Sequence, residues 1–222
     1  MKKIQFIFIW FVLASLTSCL GLSIDIQLNR DGSGRLTMEY HISSMLDSLG
    51  ALDGNLSMPT IPVGRADWDR TIERIEGARI SSFSTRQKGN DTVTSVTIDF
   101  NSIHSLIAII DPGNERTSIS MDNRSGQLNF IINDGKINEL NEENGINESL
   151  MILARAMFFD YKFSISFGAQ GNSTLIITDG TGKEIAPPAA AEVITQGRKV
   201  SMSIGIMDLI DIDEGLGVIF KF

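Results

Sequence analysis

Apolar and polar residues alternate with a period of two along much of this chain. Ile24, Ile26 and Leu28 alternate with polar neighbours, Asn29 to Gly34 supplies turn chemistry, and Leu36, Met38, Tyr40 and Ile42 alternate again. That pattern predicts a hairpin. Ile80 to Thr85 and Val93 to Phe100 flank Lys88 to Asp91 in the same way, and Ser118 to Met121 and Leu128 to Ile132 flank Asn123 to Gly126. Tyr161, Phe163, Ile165 and Phe167 precede Gly168 to Gly171, with Leu175 to Thr178 beyond. The chain closes with Val200, Met202, Ile204 and Ile206, then Leu216, Val218, Phe220 and Phe222. About ten short strands joined largely by tight turns predict mainly antiparallel sheet.

The period changes in three places. Asp67 to Ile75 puts Trp68, Ile72 and Ile75 on one helical face and charges on the other, which predicts a surface helix. Ser102 to Ile110 and Asn147 to Phe159 are apolar nearly all round and predict helices that are fully buried. A corner also recurs, in which an alternating strand runs into a short apolar helix or turn and stops at an acid-plus-Gly breaker. Its instances run from Tyr40 to Gly54, Phe100 to Gly113 and Ile206 to Gly215. Strands and helices in mixed, non-alternating order predict an α+β fold: short hairpin-linked strands, a few packed helices, one compact domain.

Composition narrows the function classes. The 222 residues carry 19 Lys+Arg against 27 Asp+Glu, a formal net charge of −8. An acidic chain without a basic run argues against nucleic acid as a partner, because that binding is driven by cations neutralising phosphates. One cysteine excludes an internal disulfide and any CxxC-type zinc or redox site.

The N-terminus carries the most specific signal. Lys2 and Lys3 precede a thirteen-residue apolar run, Ile4 to Leu16, and then Thr17, Ser18 and Cys19. As a helix the run reaches about 20 Å, short of the roughly 30 Å hydrocarbon core, so it reads as an export signal and not as a membrane span. Leu16-Thr17-Ser18-Cys19 resembles the lipobox of bacterial lipoproteins. The resemblance implies a diacylglyceryl thioether on the Cys19 sulfur, fatty chains such as palmitate, and cleavage before Cys19. Residues 1–18 are then a cleaved signal peptide and 19–222 the mature domain, anchored at its N-terminus. Loss of Lys2 and Lys3 takes the formal charge to −10, so attachment to the membrane falls to the acyl chains. Leu20 and Gly21 follow Cys19 with no Asp at the second position, which favours the outer membrane. The alternation resumes almost at once, which places the folded body close against the bilayer.

Candidate chemistry is sparse. Asp31-Gly-Ser33-Gly34 and Asp179-Gly-Thr181-Gly182 look like calcium loops, but Tyr40 stands where the first would need a bidentate Glu. They read as turns. Glu39 and His41 share a strand face, and His104 follows Asp99 at a later corner. The apolar residues lie opposite Glu39 and His41, which puts those two toward solvent, and no metal site is expected. No nucleophile elbow, phosphate loop or metalloprotease motif occurs, so neither catalytic residues nor a cofactor is expected. The segment Asn147 to Phe159 is the remaining candidate. Leu150, Leu153, Met157 and Phe158, with Met58, Ile61 and Val63 of the preceding Gly/Pro-rich loop, can line a chamber for an acyl chain or simply fill the core.

The order of features is similar to the LppM-like group of bacterial lipoproteins. A lipobox Cys19 is followed by the strand Ile24 to Leu28, the turn Asp31 to Gly34 and the strand Leu36 to Ile42, and Gly197 to Val200 leads to a last aromatic strand ending at Phe222. The resemblance covers these two ends of the chain. It implies an envelope-located domain that handles lipid or glycolipid, with no catalytic residues to carry over. Together these readings predict a non-catalytic, membrane-anchored envelope lipoprotein. Its domain either binds a hydrophobic or lipid-linked ligand or, with a solid core, serves structural or protein-protein contacts at the surface.

Overall fold

The alternating segments form two sheets that close over one core. The computed structural model describes residues 20–43, 64–89, 91–113, 116–121, 125–133 and 161–222. Among these, the chain order is β1 (Leu20–Leu28), β2 (Gly34–Ser43), α1 (Arg65–Ile72), β3 (Ala78–Lys88), β4 (Asp91–Phe100), α2 (Ile103–Ile110), β5 (Thr117–Met121) and β6 (Gly126–Asn133). Then come β7 (Lys162–Ala169), β8 (Thr174–Thr178), β9 (Glu192–Gln196), β10 (Lys199–Gly205), α3 (Ile206–Ile210) and β11 (Leu216–Lys221). A seven-stranded sheet runs β3-β4-β2-β1-β7-β10-β9, and a four-stranded sheet runs β5-β6-β11-β8. The fold is α+β, mostly antiparallel sheet, in one compact domain. One pair departs from this: β1 and β7 are parallel.

Alternation decides which face is buried. Ile26, Leu36, Ile98, Ile165, Phe167 and Met202 point to one face of the large sheet and are almost wholly buried. Each such side chain contributes roughly 1.5–3 kcal/mol on burial. The small sheet meets this face through Leu128, Val218 and Phe220, with Phe220 stacked on Phe167 at 5.0 Å. The α1 helix covers the β2 side, where Trp68 Nε1 donates to the Tyr40 hydroxyl at 3.2 Å. Burial holds the Tyr40 phenol above its usual range against the pull of that hydrogen bond.

The turns are held as their sequences require. Gly32, Gly89, Gly182 and Gly197 all take positive φ, the region that favours glycine. Asp31 Oδ1 accepts from the Ser33 backbone N–H at 3.0 Å and its hydroxyl at 2.6 Å; Asp179 Oδ1 does the same for Thr181. Both aspartates therefore close turns.

Several expectations are corrected. The α2 helix is not buried all round: Ile103, Ser105, Leu106 and Ile109 are buried, while His104 is exposed and Ile107, Ala108 and Ile110 are half-buried. It lies along one side of the core, so only one stripe is covered, and Ser102 caps it by accepting from the Ser105 N–H. The strands β7 and β8 are not a hairpin, since β7 pairs with β1 and β10 while β8 pairs with β11. Period two reveals the face of a strand and not its neighbour. Ile206 belongs to α3 and not to a strand. The strand β9 escaped the pattern because it is an edge strand exposing both Val193 (39%) and Ile194 (45%), so no alternation is imposed on it. Two corners of the recurring type are present, β4 into α2 and β10 into α3; the one starting at Tyr40 runs outside the described residues.

Candidate functional site

The outer face of the large sheet is mainly polar, with Val93 and Ile194 as apolar exceptions. Strand pairing aligns its side chains in rows perpendicular to the strands. One row reads Ser84, Ser95, Glu39, Ser23, Ser164, Ser203 and Glu192. The next reads Ser82, Thr97, Thr37, Asp25, Ser166, Ser201 and Ile194. Serine is a weak strand former, so these positions are held in strand by the apolar residues that alternate with them on the core side. Asp25 ties the second row together. It accepts from Ser166 Oγ at 2.5 Å, Lys199 Nζ at 2.7 Å and Gln27 Nε2 at 3.2 Å. Burial pushes its carboxyl up, but the hydrogen bonds from Lys199, Ser166 and Gln27 outweigh this and hold it below the usual carboxylate range.

At the end of this face beside the β1–β2 turn, a third row carries Arg79, Asp99, Arg35 and Gln27. Arg35 Nε donates to Asp99 Oδ1 at 2.9 Å and Arg79 Nη2 to Asp99 Oδ2 at 3.2 Å. The Arg35 hydrogen bond, then the charges of both arginines, keep the Asp99 carboxyl low despite partial burial. These side chains, with Asn29, Ser33, Gly34 and Phe100, enclose an open cavity of about 380 Å³. Gly34 makes room here, because a Cβ would run into the Gln27 carbonyl and the Phe100 ring.

The opposite end of the face corrects an expectation. His41 does not point into solvent: only 2% of its side chain is exposed. It sits beside Val93, also buried, with Nε2 3.6 Å from Glu39 Oε1 and Nδ1 3.9 Å from Asp91 Oδ2, while Arg86 pairs with Glu39. The end of β2 is thus closed over by charged side chains where strict alternation predicted openness. His104 lies on α2, beyond the other end of β4, so the two histidines are separated by the length of that strand. Among the described residues no group of three His, Cys, Asp or Glu side chains is placed to hold a metal. No helix among them is long and apolar enough to cross a membrane.

Cys19 and the proposed apolar contacts Leu150, Leu153, Met157 and Phe158 lie outside the described residues, as does the loop with Met58, Ile61 and Val63. Sequence reasoning missed Arg35, Arg79 and Asp99. They come from three strands, and alternation places each on the polar face without revealing the register that joins them.

Comparison with solved structures finds a likeness to the folded domain of Mycobacterium tuberculosis LppM, determined by NMR. The TM-score is 0.42 and the identity 6%, over 91% of this chain and 88% of that one. A match at this level assigns neither residues nor activity. No family model and no curated protein sequence matches the chain.

Proposed function

We propose that the chain is an envelope lipoprotein, acylated at Cys19, whose domain is a non-catalytic binding module working through its outer sheet face. The observation that carries this reading is the start of β1 at Leu20, the residue after Cys19. Leu20 is already in register with Lys162 of β7, and Leu22 with Tyr40 of β2. An acylated Cys19 therefore joins the bilayer directly to a central strand, with no linker between. The described core supports a solid interior. Ile26, Leu36, Leu106, Leu128, Met202, Val218 and Phe220 have no measurable exposure, which leaves the polar outer face for recognition. The alternative, an acyl ligand held by Leu150, Leu153, Met157 and Phe158, draws on the apolar character of that segment alone.

The test is metabolic labelling of bacteria expressing the full chain with a palmitate analogue, together with membrane fractionation. The chain is expected to take up label and sediment with membranes, and Cys19→Ser to lose both. An unlabelled wild-type chain, or a serine variant that still fractionates with membranes, would overturn the anchor.

A further inference from the structure

We infer that the cavity between the β1–β2 turn and the Arg79–Asp99–Arg35 row is a binding site for one oxyanion group, a phosphate or carboxylate carried on a small polar molecule. This rests on the outer face being the working surface, and it names what that surface takes.

Three observations carry it. The cavity is about 380 Å³, within the roughly 300–1,000 Å³ of ordinary small-molecule sites. Its lining is net cationic by formal count: two guanidinium groups share one carboxylate, leaving +1 in a chain whose net charge is −8. The donors are also placed in advance. A guanidinium has five N–H donors in a rigid fork matched to carboxylate and phosphate oxygens. Arg35 directs Nε, and Arg79 one Nη2 hydrogen, to Asp99. Neither side chain makes another hydrogen bond among the described residues, and they are 54% and 80% exposed. Asp99 acts as a brace, fixing both forks from β4 while their unused edges stay accessible.

The rest of the wall is consistent with a polar ligand. Asn29 Nδ2 donates to Ser33 Oγ, and Gln27 Nε2 to Asp25, so both amides are oriented by neighbours within the fold. The nearby Asp31 carboxylate is engaged inside its own turn by Ser33. A metal cation does not suit this set, because two cationic side chains already neutralise the single lining carboxylate.

The experiment is calorimetric titration of the detergent-solubilised full chain with inorganic phosphate, glucuronate and uncharged glucose. Phosphate or glucuronate is expected to bind and glucose not to bind; which anion binds more tightly identifies the preferred group. Arg79→Gln and Arg35→Gln are each expected to weaken that binding at least tenfold without lowering the melting temperature by more than a few degrees. Lys221→Gln, on the small sheet, is expected to leave it unchanged. Absence of binding by both anions, or full affinity in both arginine variants, would overturn the inference. If Lys199→Gln abolishes binding while both arginine variants retain it, the outer face still binds and this cavity is excluded. Loss of palmitate labelling would remove the anchor and leave the titration standing.

Discussion

Replacing Phe220 tests whether the two sheets share one core. Its ring is fully buried, stacked on Phe167 of the large sheet at 5.0 Å and 19°, and edge-on to Phe130 of its own sheet at 5.9 Å and 80°. Truncating such a ring to alanine costs about 3–5 kcal/mol from lost transfer energy plus the cavity left behind. For a domain of this size each kcal/mol lowers the melting temperature by about 2–4 °C, so Phe220→Ala should melt about 6–20 °C below the parent. Leucine retains most of the apolar volume but loses both ring pairs. At about 0.5–1.5 kcal/mol per pair, Phe220→Leu should cost about 1–3 kcal/mol. Urea unfolding of residues 20–222, followed by circular dichroism and by Trp68 fluorescence, measures both. Coincident curves license the two-state treatment. A double-mutant cycle with Phe167→Leu should return a coupling of about 0.5–1.5 kcal/mol. A Phe220→Ala cost under about 1 kcal/mol, or strict additivity in the cycle, would refute the stacked interface.

Two further outcomes follow from particular contacts. Gly126 lies under the Phe222 ring, and their backbones exchange hydrogen bonds of 2.7 and 3.0 Å. Gly126→Ala should therefore force the C-terminal residue aside and cost about 1–3 kcal/mol in urea unfolding, whereas Gly171→Ala, which has open space, should change little. Asp25 and Asp99 both have folded-state pKa values below those of the unfolded chain, so their contribution is present above pH about 4 and is lost as pH falls through the lower folded values. Melting temperature should hold from pH 7 to about 5 and fall below pH 4. The double variant Asp25→Asn, Asp99→Asn should flatten that fall, and an equally steep fall in the variant would contradict the assignment.

The parts of this fold that could be read from sequence are those governed by one strand at a time. Alternation located ten of the strands, because each turns one mainly apolar face toward the core. It could not find β9, where Val193 and Ile194 are both exposed and no face is imposed. Nor could it say that β7 and β8 part company, since Phe167 and Ile177 enter the same core from opposite sheets and obey the same periodicity. The candidate site was hidden for the same reason. Arg35 and Asp99 are 64 positions apart, and Arg79 and Asp99 are 20 apart; only the register of β2, β3 and β4 makes them neighbours. His41 shows the complementary failure. Alternation assigned its face correctly, but the closing of Glu39, Asp91 and Arg86 around it depends on side chains from three strands.

The position of β1 would link the proposed anchor to the polar face. It is the middle strand of the seven in the large sheet, antiparallel to β2 and parallel to β7. A strand held by ladders on both sides yields only if both are sheared together, so with Cys19 acylated, load from the membrane is spread into the sheet. A peripheral strand in that place would peel. Given that anchor, the direction of β1 would also set the orientation of the domain. Its first residue adjoins the end of the sheet that holds His41, and its last leads into the turn beside Arg35, about 25–30 Å farther along. With Cys19 acylated as proposed, the arginine row would stand at the end of the sheet away from the bilayer. An edge placement of β1, or a long tether before it, would have left that end without a fixed direction.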